Sequence, residues 1–203
     1  MSALRGARWP SQGSTVVIVP GLRDAVEQHW QSLLEARLRE HGRRVVAVAP
    51  MGRDALDRAQ RVAALDEAMD RVDGAALLVA HSAGCLTVAH WAAGRAGATG
   101  AVRGALLAVP PDFETPMPAA YPGIEALRAN GWLPVPRGPL GLRAIVAASL
   151  DDPLARIERV RQLAIDWGAD CVELGAVGHL NPASGYGPWP RAEEFLQQLD
   201  ASS

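Results

Sequence analysis

The sequence has little cysteine, which narrows the class of protein. Its 203 residues include two cysteines, Cys85 and Cys171. They are too few for a disulfide framework and lack the CxxC spacing of metal or redox sites. We interpret both as small apolar core residues, a usage that suits a reducing compartment. We therefore expect a cytoplasmic protein.

An excess of charge and long apolar runs are also missing. Basic and acidic residues number 20 and 22, for a net charge of −2, so we expect neither nucleic acid nor a membrane as a partner. The longest apolar runs have the length of strands, well below the roughly 20 residues of a spanning helix. Residues 1–14 have no apolar core of the kind found in secretory signals.

Motifs for metals and cofactors are missing as well. The histidines show no metal-ligand spacing with carboxylates or cysteines. The sequence has no glycine-rich phosphate loop. We therefore expect no cofactor and no metal.

What the sequence does contain is an alternation of β-branched runs and helical patterns. Strands are predicted at 14–20, 43–50, 75–80, 102–110, 142–149 and 170–175. Apolar residues at helical spacing predict helices over about 26–38, 62–72, 83–96, 154–167 and 191–199. The strands are apolar on both faces, which is typical of parallel strands covered by helices. The fold class expected is α/β, a three-layer α/β/α sandwich with a mainly parallel six-stranded sheet, in one domain over 1–203.

A proline-rich segment (residues 110–139) interrupts this alternation after the fourth strand. It contains eight of the fifteen prolines, which favour stiff, irregular backbone. A short helix is predicted near 124–129. We expect this segment to overhang the site like a short lid, which would suit a small or exposed substrate.

Polar side chains follow three of the predicted strands. Ser82 follows the third strand, Asp151 and Asp152 follow the fifth, and His179 follows the sixth. Ligands of parallel sheets bind beyond the carboxyl ends of the strands. The chain order Ser…Asp…His is that of α/β-hydrolases.

Small residues surround Ser82 in the stretch "AHSAG". Ala80 and Gly84 leave room for a sharp strand-to-helix turn, the nucleophile elbow, which exposes a serine to a base. A serine at this place can also be a simple helix N-cap. The conjunction with an acid and a histidine after other strands favours catalysis. In that interpretation His179 takes the proton of Ser82.

Two aspartates compete to orient His179. We favour Asp152, which precedes a proline at the start of a helix, while Asp151 is the alternative and otherwise caps the helix or binds the loop.

The oxyanion donors are predicted to be two backbone N–H groups. One is that of Ala83 at the start of a helix, and the other is that of Leu22 in the loop "VPGLRDA", where Gly21 lets the backbone approach.

Further residues are candidates for the substrate pocket. Arg23 either stabilises charge or is a solvated or salt-bridged arginine. His29 is a candidate for the border of the pocket, and His81 is expected to pack beside the serine turn. Trp132 and Trp189 either wall the pocket or pack at the surface.

The motifs together resemble a known family. The stretches "VVIVPGLRD", "LLVAHSAGCLTVAHWA", "ASLDDPLARIERV" and "GHLNPASGYGPWP" are similar to those of the small serine hydrolases of the RBBP9/YdeN family, over about 15–199. The resemblance implies a compact α/β-hydrolase fold without the two leading antiparallel strands, and a triad of Ser82, Asp152 and His179. Ala80 departs from the glycine usual at that position.

The expected function is a serine hydrolase, carboxylesterase-like, that cleaves a small ester through an acyl-enzyme. Thioesters and amides are less favoured substrates, and the partner is a small acyl compound. The alternative is a hydrolase-fold protein that binds a ligand or a partner with little turnover. Acyl preference and oligomeric state stay open.

Overall fold

A six-stranded sheet in which every neighbouring pair is parallel forms the centre of the molecule. The computed structural model describes residues 13–23, 26–95 and 99–201, so the expectation about residues 1–14 lies almost entirely outside it. The strands are β1 (Thr15–Val19), β2 (Val45–Ala47), β3 (Ala76–His81), β4 (Val102–Ala108), β5 (Ala144–Ala148) and β6 (Asp170–Glu173). Their spatial order is β2-β1-β3-β4-β5-β6.

Helices cover both faces of this sheet. They are α1 (Trp30–Glu40), α2 (Arg58–Met69), α3 (Ala83–Gly94), α4 (Ile124–Ala129), α5 (Ile157–Trp167) and α6 (Arg191–Ala201). Apolar residues of α1 and α6 pack with one face of β1, β3 and β4. Those of α2, α3 and α5 pack with the other face. The predicted three-layer α/β fold is confirmed.

The strands are buried in the middle of the sheet and exposed at one edge. Every residue of β1, β3 and β5 is buried, as expected for strands that are apolar on both faces. In contrast, β6 is mostly exposed because no strand lies beyond it. The strand was predicted correctly, but the expectation that it is buried on both faces was wrong. For the same reason Cys171 is exposed and is not the core residue expected, whereas Cys85 is buried.

Three helices are shorter at one end than their apolar patterns predicted. Val26 precedes α1 and is 55% exposed. Val72 follows α2, in a turn closed by its N–H to the carbonyl of Met69. Leu154 is buried but precedes α5. The apolar periodicity thus continues beyond α2 and α5 into flanking turns where Val72 and Leu154 still pack, whereas Val26 before α1 is mostly exposed.

The proline-rich segment packs against the helices beside the sheet. Asp112 near its start forms an ion pair with Arg159 of α5 at 2.9 Å. The indole Nε1 of Trp132 donates to the carbonyl of Leu56 at 2.7 Å. Arg58 of α2 donates to the carbonyl of Gly131 at 3.0 Å. These contacts fix the segment above the carboxyl ends of the strands. In the described part of the chain, no helix has the length and apolar character needed to cross a membrane.

Candidate active site

Ser82 stands on a strained turn between β3 and α3. Its backbone has φ 55° and ψ −130°, a conformation that costs a non-glycine residue of order 1–3 kcal/mol. Its N–H donates to the carbonyl of Ala108 at 2.9 Å, which ties the turn to β4. The side chain projects into a cavity beyond the sheet.

The small neighbours of Ser82 are needed for close approach. A Cβ added to Gly84 would lie 2.5 Å from the carbonyl oxygen of Val19, and one added to Gly21 would lie 3.1 Å from the Cβ of Ser82. Ala80 is fully buried in register between Val19 and Leu107. The central sheet therefore accommodates the methyl group at the position where the family usually has glycine.

A chain of hydrogen bonds connects Ser82, His179 and Asp152. Nε2 of His179 lies 2.9 Å from Oγ of Ser82. Its Nδ1 lies 2.8 Å from Oδ2 of Asp152. The side chains of His179 and Asp152 are 5% and 2% exposed. With the carboxylate as acceptor, Nδ1 carries the proton and Nε2 is free to accept one from the serine hydroxyl.

The two candidate aspartates have different contacts. Asp152 faces His179, and its Oδ1 also accepts the N–H of Leu154 at 2.9 Å. Asp151 instead accepts the N–H of Gly178 at 2.7 Å and the hydroxyl of Ser149 at 2.9 Å. The Gly178 bond, followed by the Ser149 bond, holds the pKa of Asp151 below its usual value. Asp151 thus binds the loop that carries His179 and does not contact the imidazole.

The loop around His179 is braced by a short 3₁₀-helix, Pro182–Ser184, which the sequence prediction missed. The hydroxyl of Ser184 accepts the N–H of His179 at 3.0 Å. Asn181 accepts the N–H of Ser184 at 2.9 Å. Asn181 with Ser184 three residues later is a capping pattern that could have indicated this turn.

Two neutral histidines lie behind His179. The ring of His81 is 5.0 Å from that of His179 and 4.6 Å from that of His29. Nε2 of His81 is 3.0 Å from the carbonyl oxygen of His179 and donates to it. Burial, then the nearby His179, lowers the pKa of His29 to about 4 and that of His81 well below its usual value. His81 therefore packs beside the turn and also binds the His179 backbone.

The cavity above Ser82 has a volume of about 500 Å³, which falls within the range of small-molecule sites. His29, Leu22, Ala83 and Gly21 reach its wall. The proline-rich segment contributes six lining residues, Pro111, Phe113, Met117, Ala120, Tyr121 and Pro122. The walls are mainly apolar, and three charged side chains, Arg23, Arg53 and Asp54, also line the cavity.

Arg23 connects the loop after β1 to the proline-rich segment. Its guanidinium donates to the carbonyl of Ala120 and lies over the ring of Tyr121, 4.3 Å from the centroid. All three residues line the cavity. The exposed arginine is thus engaged across the cavity mouth, rather than fully solvated.

Trp132 does not line the cavity. It is fully buried, and its ring packs edge-on at 5.3 Å against Phe113, which does line it. Both alternatives for Trp132, a pocket wall and packing at the surface, were wrong, because its hydrogen bond to Leu56 places the indole in the core.

Trp189 also lies outside the cavity. It packs against Trp30 at 4.8 Å and lines a separate surface groove beside α1. Of the two alternatives for Trp189, packing near the surface is therefore correct and a pocket wall is wrong, because its ring packs against Trp30 of α1.

Two buried polar residues near the site gave no signal in the sequence. The amide Nε2 of Gln31 donates to the carbonyls of Val19, at the end of β1, and Val79, within β3, at 3.1 and 3.0 Å. Arg61 of α2 is 5% exposed and donates to the loop after β1. Within residues 13–23, 26–95 and 99–201, no group of three or more His, Cys, Asp or Glu is arranged to bind a metal.

Comparison with known proteins identifies the family of this chain. The model of the family described as Serine hydrolase matches residues 16–198. The chain belongs to this family. The serine hydrolase family and the α/β-hydrolase fold together make the protein a hydrolase by class. No protein with a curated description is similar enough in sequence to count as a match.

Solved structures show the same fold. A protein described as a YdeN-like hydrolase, from Pectobacterium atrosepticum, is 27% identical with a TM-score of 0.71, and the alignment covers 94% of each chain. The ydeN gene product of B. subtilis is 19% identical with a TM-score of 0.72, over 93% of this chain and all (100%) of that one. Est1E from Butyrivibrio proteoclasticus, with bound ferulic acid, is 13% identical with a TM-score of 0.68, over 95% and 92%. The resemblance found in the sequence is confirmed.

Proposed function

We propose that this serine hydrolase is a cytoplasmic carboxylesterase that uses a triad of Ser82, His179 and Asp152. The observation that carries the proposal is the unbroken chain of hydrogen bonds from Ser82 Oγ through His179 to Asp152, at 2.9 and 2.8 Å. The Ser82 end of this chain of hydrogen bonds faces a cavity of about 500 Å³. A buried carboxylate, a histidine and a hydroxyl that faces a cavity, in this order, are what acyl transfer requires.

In the first half of the reaction, Ser82 Oγ attacks the ester carbonyl carbon while His179 Nε2 takes its proton. Asp152 orients the imidazole and stabilises the imidazolium that forms. The carbonyl oxygen becomes an oxyanion, for which we propose the N–H groups of Leu22 and Ala83 as donors. The Ala83 N–H is the first of α3, so it has no carbonyl partner within the helix and lies at the positive end of the helix dipole.

The tetrahedral intermediate then collapses. The bond to the leaving alkoxide breaks, and His179 gives its proton to that oxygen. Water, deprotonated by His179, then attacks the carbonyl carbon of the acyl-Ser82 ester. The bond between that carbon and Ser82 Oγ breaks, His179 returns the proton to Oγ, and the carboxylic acid is released. Because water supplies the second nucleophile, the cycle requires no further co-reactant.

The size and lining of the cavity support a small ester with an apolar portion as the substrate. Phe113, Met117 and Leu154 offer apolar walls close to Ser82. Arg23, Arg53 and Asp54 also line the cavity. Because two of these three side chains are cationic, we propose that neutral groups are preferred near them over cationic ones. We propose a small acyl compound as the partner, without nucleic acid or membrane.

The test is covalent labelling with a fluorophosphonate probe. Wild type, Ser82→Ala and His179→Ala are compared, with His41→Ala as a matched control because His41 is exposed at the end of α1. We expect an adduct on Ser82 in wild type and His41→Ala, located by mass spectrometry, and none in the other two variants. Hydrolysis of p-nitrophenyl acetate, butyrate and octanoate then gives the acyl preference. A folded wild type that neither labels nor hydrolyses these esters overturns the proposal and favours a ligand-binding protein.

A further inference from the structure

Arg61 is a buried arginine whose guanidinium binds the loop after β1. It lies on α2 and is 5% exposed. Nη1 donates to the carbonyl of Gly21 at 3.2 Å, and Nη2 donates to that of Leu22 at 3.1 Å. Burial of a cation is costly unless its donors are satisfied, so the hydrogen bonds of Arg61 to these carbonyls must offset that cost.

The same guanidinium also contacts a second loop. Its Nε donates to the carbonyl of Ala55 at 2.9 Å, and Nη2 donates to that of Gly52 at 3.1 Å. Arg61 therefore fastens the loop after β1 to the segment that leads into α2. The planar guanidinium directs its five N–H donors in set directions, so its hydrogen bonds hold both segments in fixed positions relative to α2.

The Gly21 carbonyl belongs to the same peptide unit as the Leu22 N–H. In a trans peptide the C=O and the N–H point in opposite directions. A hydrogen bond from Arg61 to this oxygen therefore fixes the direction of the Leu22 N–H. The bond to the Leu22 carbonyl fixes the next peptide unit, so both sides of Leu22 are held.

The fixed peptide lies against the nucleophile. A Cβ built on Gly21 would be 3.1 Å from Cβ and 3.5 Å from Oγ of Ser82. Leu22, Ser82 and Ala83 line the same cavity. The Arg61 charge also polarises the Gly21–Leu22 peptide group, which makes its N–H a stronger donor.

We propose that Arg61 is a positioning residue that orients and polarises the Leu22 N–H for the oxyanion. The inference rests on the proposed function. It assigns a role in catalysis to an arginine that would act through the backbone of Gly21 and Leu22, and whose hydrogen bonds given above go to the loop after β1 and to the segment before α2.

The test variant is Arg61→Lys, which keeps the positive charge but cannot reach the same carbonyls with a planar fork. Arg71→Lys is the matched control, since Arg71 follows the same helix and donates to the carbonyl of Ala47 at 3.1 Å, on β2. We expect kcat for p-nitrophenyl acetate to fall by about 10- to 100-fold in Arg61→Lys, a smaller loss than deletion of a whole oxyanion donor. KM should change by less than about twofold, because the oxyanion forms only in the transition state.

Two further readouts separate positioning from a structural role. Affinity for a trifluoromethyl ketone, whose hemiketal mimics the tetrahedral intermediate, should fall in parallel with kcat/KM. In ¹H–¹⁵N spectra, the Leu22 amide proton should shift downfield when wild type reacts with the fluorophosphonate. The shift should be smaller in Arg61→Lys. The wild-type shift is measurable even if the variant folds poorly.

Several results would overturn the inference. Unchanged kcat and ketone affinity in Arg61→Lys would do so and leave the proposed function standing. The same holds for a rise in KM at constant kcat, or for a loss of kcat that only follows the folded fraction. A Leu22 amide proton that does not shift on reaction with the fluorophosphonate overturns the inference together with the assignment of Leu22 as an oxyanion donor, but not the triad. A wild type inert to esters and phosphonate overturns the proposed function together with this inference.

Discussion

At the scale of single residues, Ser82 adopts a backbone conformation that its own side chain disfavours. Its φ of 55° and ψ of −130° cost of order 1–3 kcal/mol, so neighbouring contacts must supply that free energy. The hydrogen bond from its N–H to Ala108 and the close packing at Gly84 supply part of it. The result is a hydroxyl that points at His179, and not one that caps the helix: Ser82 makes no side-chain cap bond to α3.

The contacts of the two neighbouring aspartates lead to a prediction. Asp152→Asn replaces the carboxylate that accepts the His179 Nδ1–H and stabilises the imidazolium. We expect kcat/KM for p-nitrophenyl acetate to fall by roughly 10²- to 10⁴-fold, as the wrong tautomer becomes favoured. Asp151→Asn keeps an oxygen acceptor for Gly178 and should lower kcat/KM less than about tenfold. Steady-state kinetics on both variants measures this.

The opposite ranking of these two variants would contradict the assignment. A larger loss in Asp151→Asn would mean that the position of the His179 loop matters more than the carboxylate facing the imidazole. Circular dichroism on both proteins shows whether either substitution unfolds the chain.

The site residues that follow strands could be predicted from the sequence, whereas the buried polar side chains that bind nearby loops and strands could not. Ser82, Asp152 and His179 follow apolar strands, and the structure brings them within hydrogen-bond distance. Arg61 and Gln31 lie on helices, where a polar side chain is expected to face solvent. Their burial depends on loops that approach from distant parts of the chain, which local pattern does not reveal.

At the scale of elements, the start of α3 lies unusually close to the end of β1. An added Cβ at Gly84 would be 2.5 Å from the Val19 oxygen and 2.7 Å from the Pro20 oxygen. Both contacts are to backbone, which cannot rotate away as a side chain can. The helix N-terminus is thereby brought next to the loop that contains Gly21 and Leu22. A larger residue here must move α3 away from the sheet.

We therefore predict opposite effects for two glycine substitutions in the same helix. Gly84→Ala should lower the free energy of unfolding by about 1–3 kcal/mol, the usual cost of overpacking, and should reduce esterase activity as the serine turn shifts. Gly94→Ala, at the other end of α3, meets no atom within 4 Å. It should be neutral or stabilise by up to about 1 kcal/mol, since alanine favours helix. Urea denaturation of both variants tests this, and equal stabilities would contradict the close approach.

The strands and layers followed from apolar patterns, but helix ends did not. Asp57 begins α2 by accepting the N–H of Ala59 at 2.7 Å, a local signal. At α5, by contrast, the carboxylate of Asp152 accepts the Leu154 N–H, and the helix begins only at Ile157. That turn serves the site, so a functional contact overrides the periodicity that predicted an earlier start.

At the scale of the whole molecule, several histidines are kept neutral by the fold. Burial is the largest cause of the low pKa of about 4 at both His29 and His90. Burial also lowers the pKa of His81 well below its usual value. In the unfolded chain such groups titrate near 6.5. Between these values the unfolded state binds more protons than the native state.

This difference predicts acid sensitivity with a defined window. Stability should be fully present above about pH 6.5 and fall as the pH drops towards 4, since excess proton binding favours the unfolded chain. His90 tests this apart from catalysis, because it contacts the carbonyl of Trp132 at 3.1 Å, away from Ser82. In His90→Gln, the glutamine amide can form this hydrogen bond but does not bind a proton between pH 7 and 4. The Tm measured from pH 7 to 4 should therefore decline less steeply than in wild type, while the exposed control His41→Gln should follow wild type more closely. Parallel declines in wild type and His90→Gln would show that burial of His90 contributes nothing to the acid sensitivity.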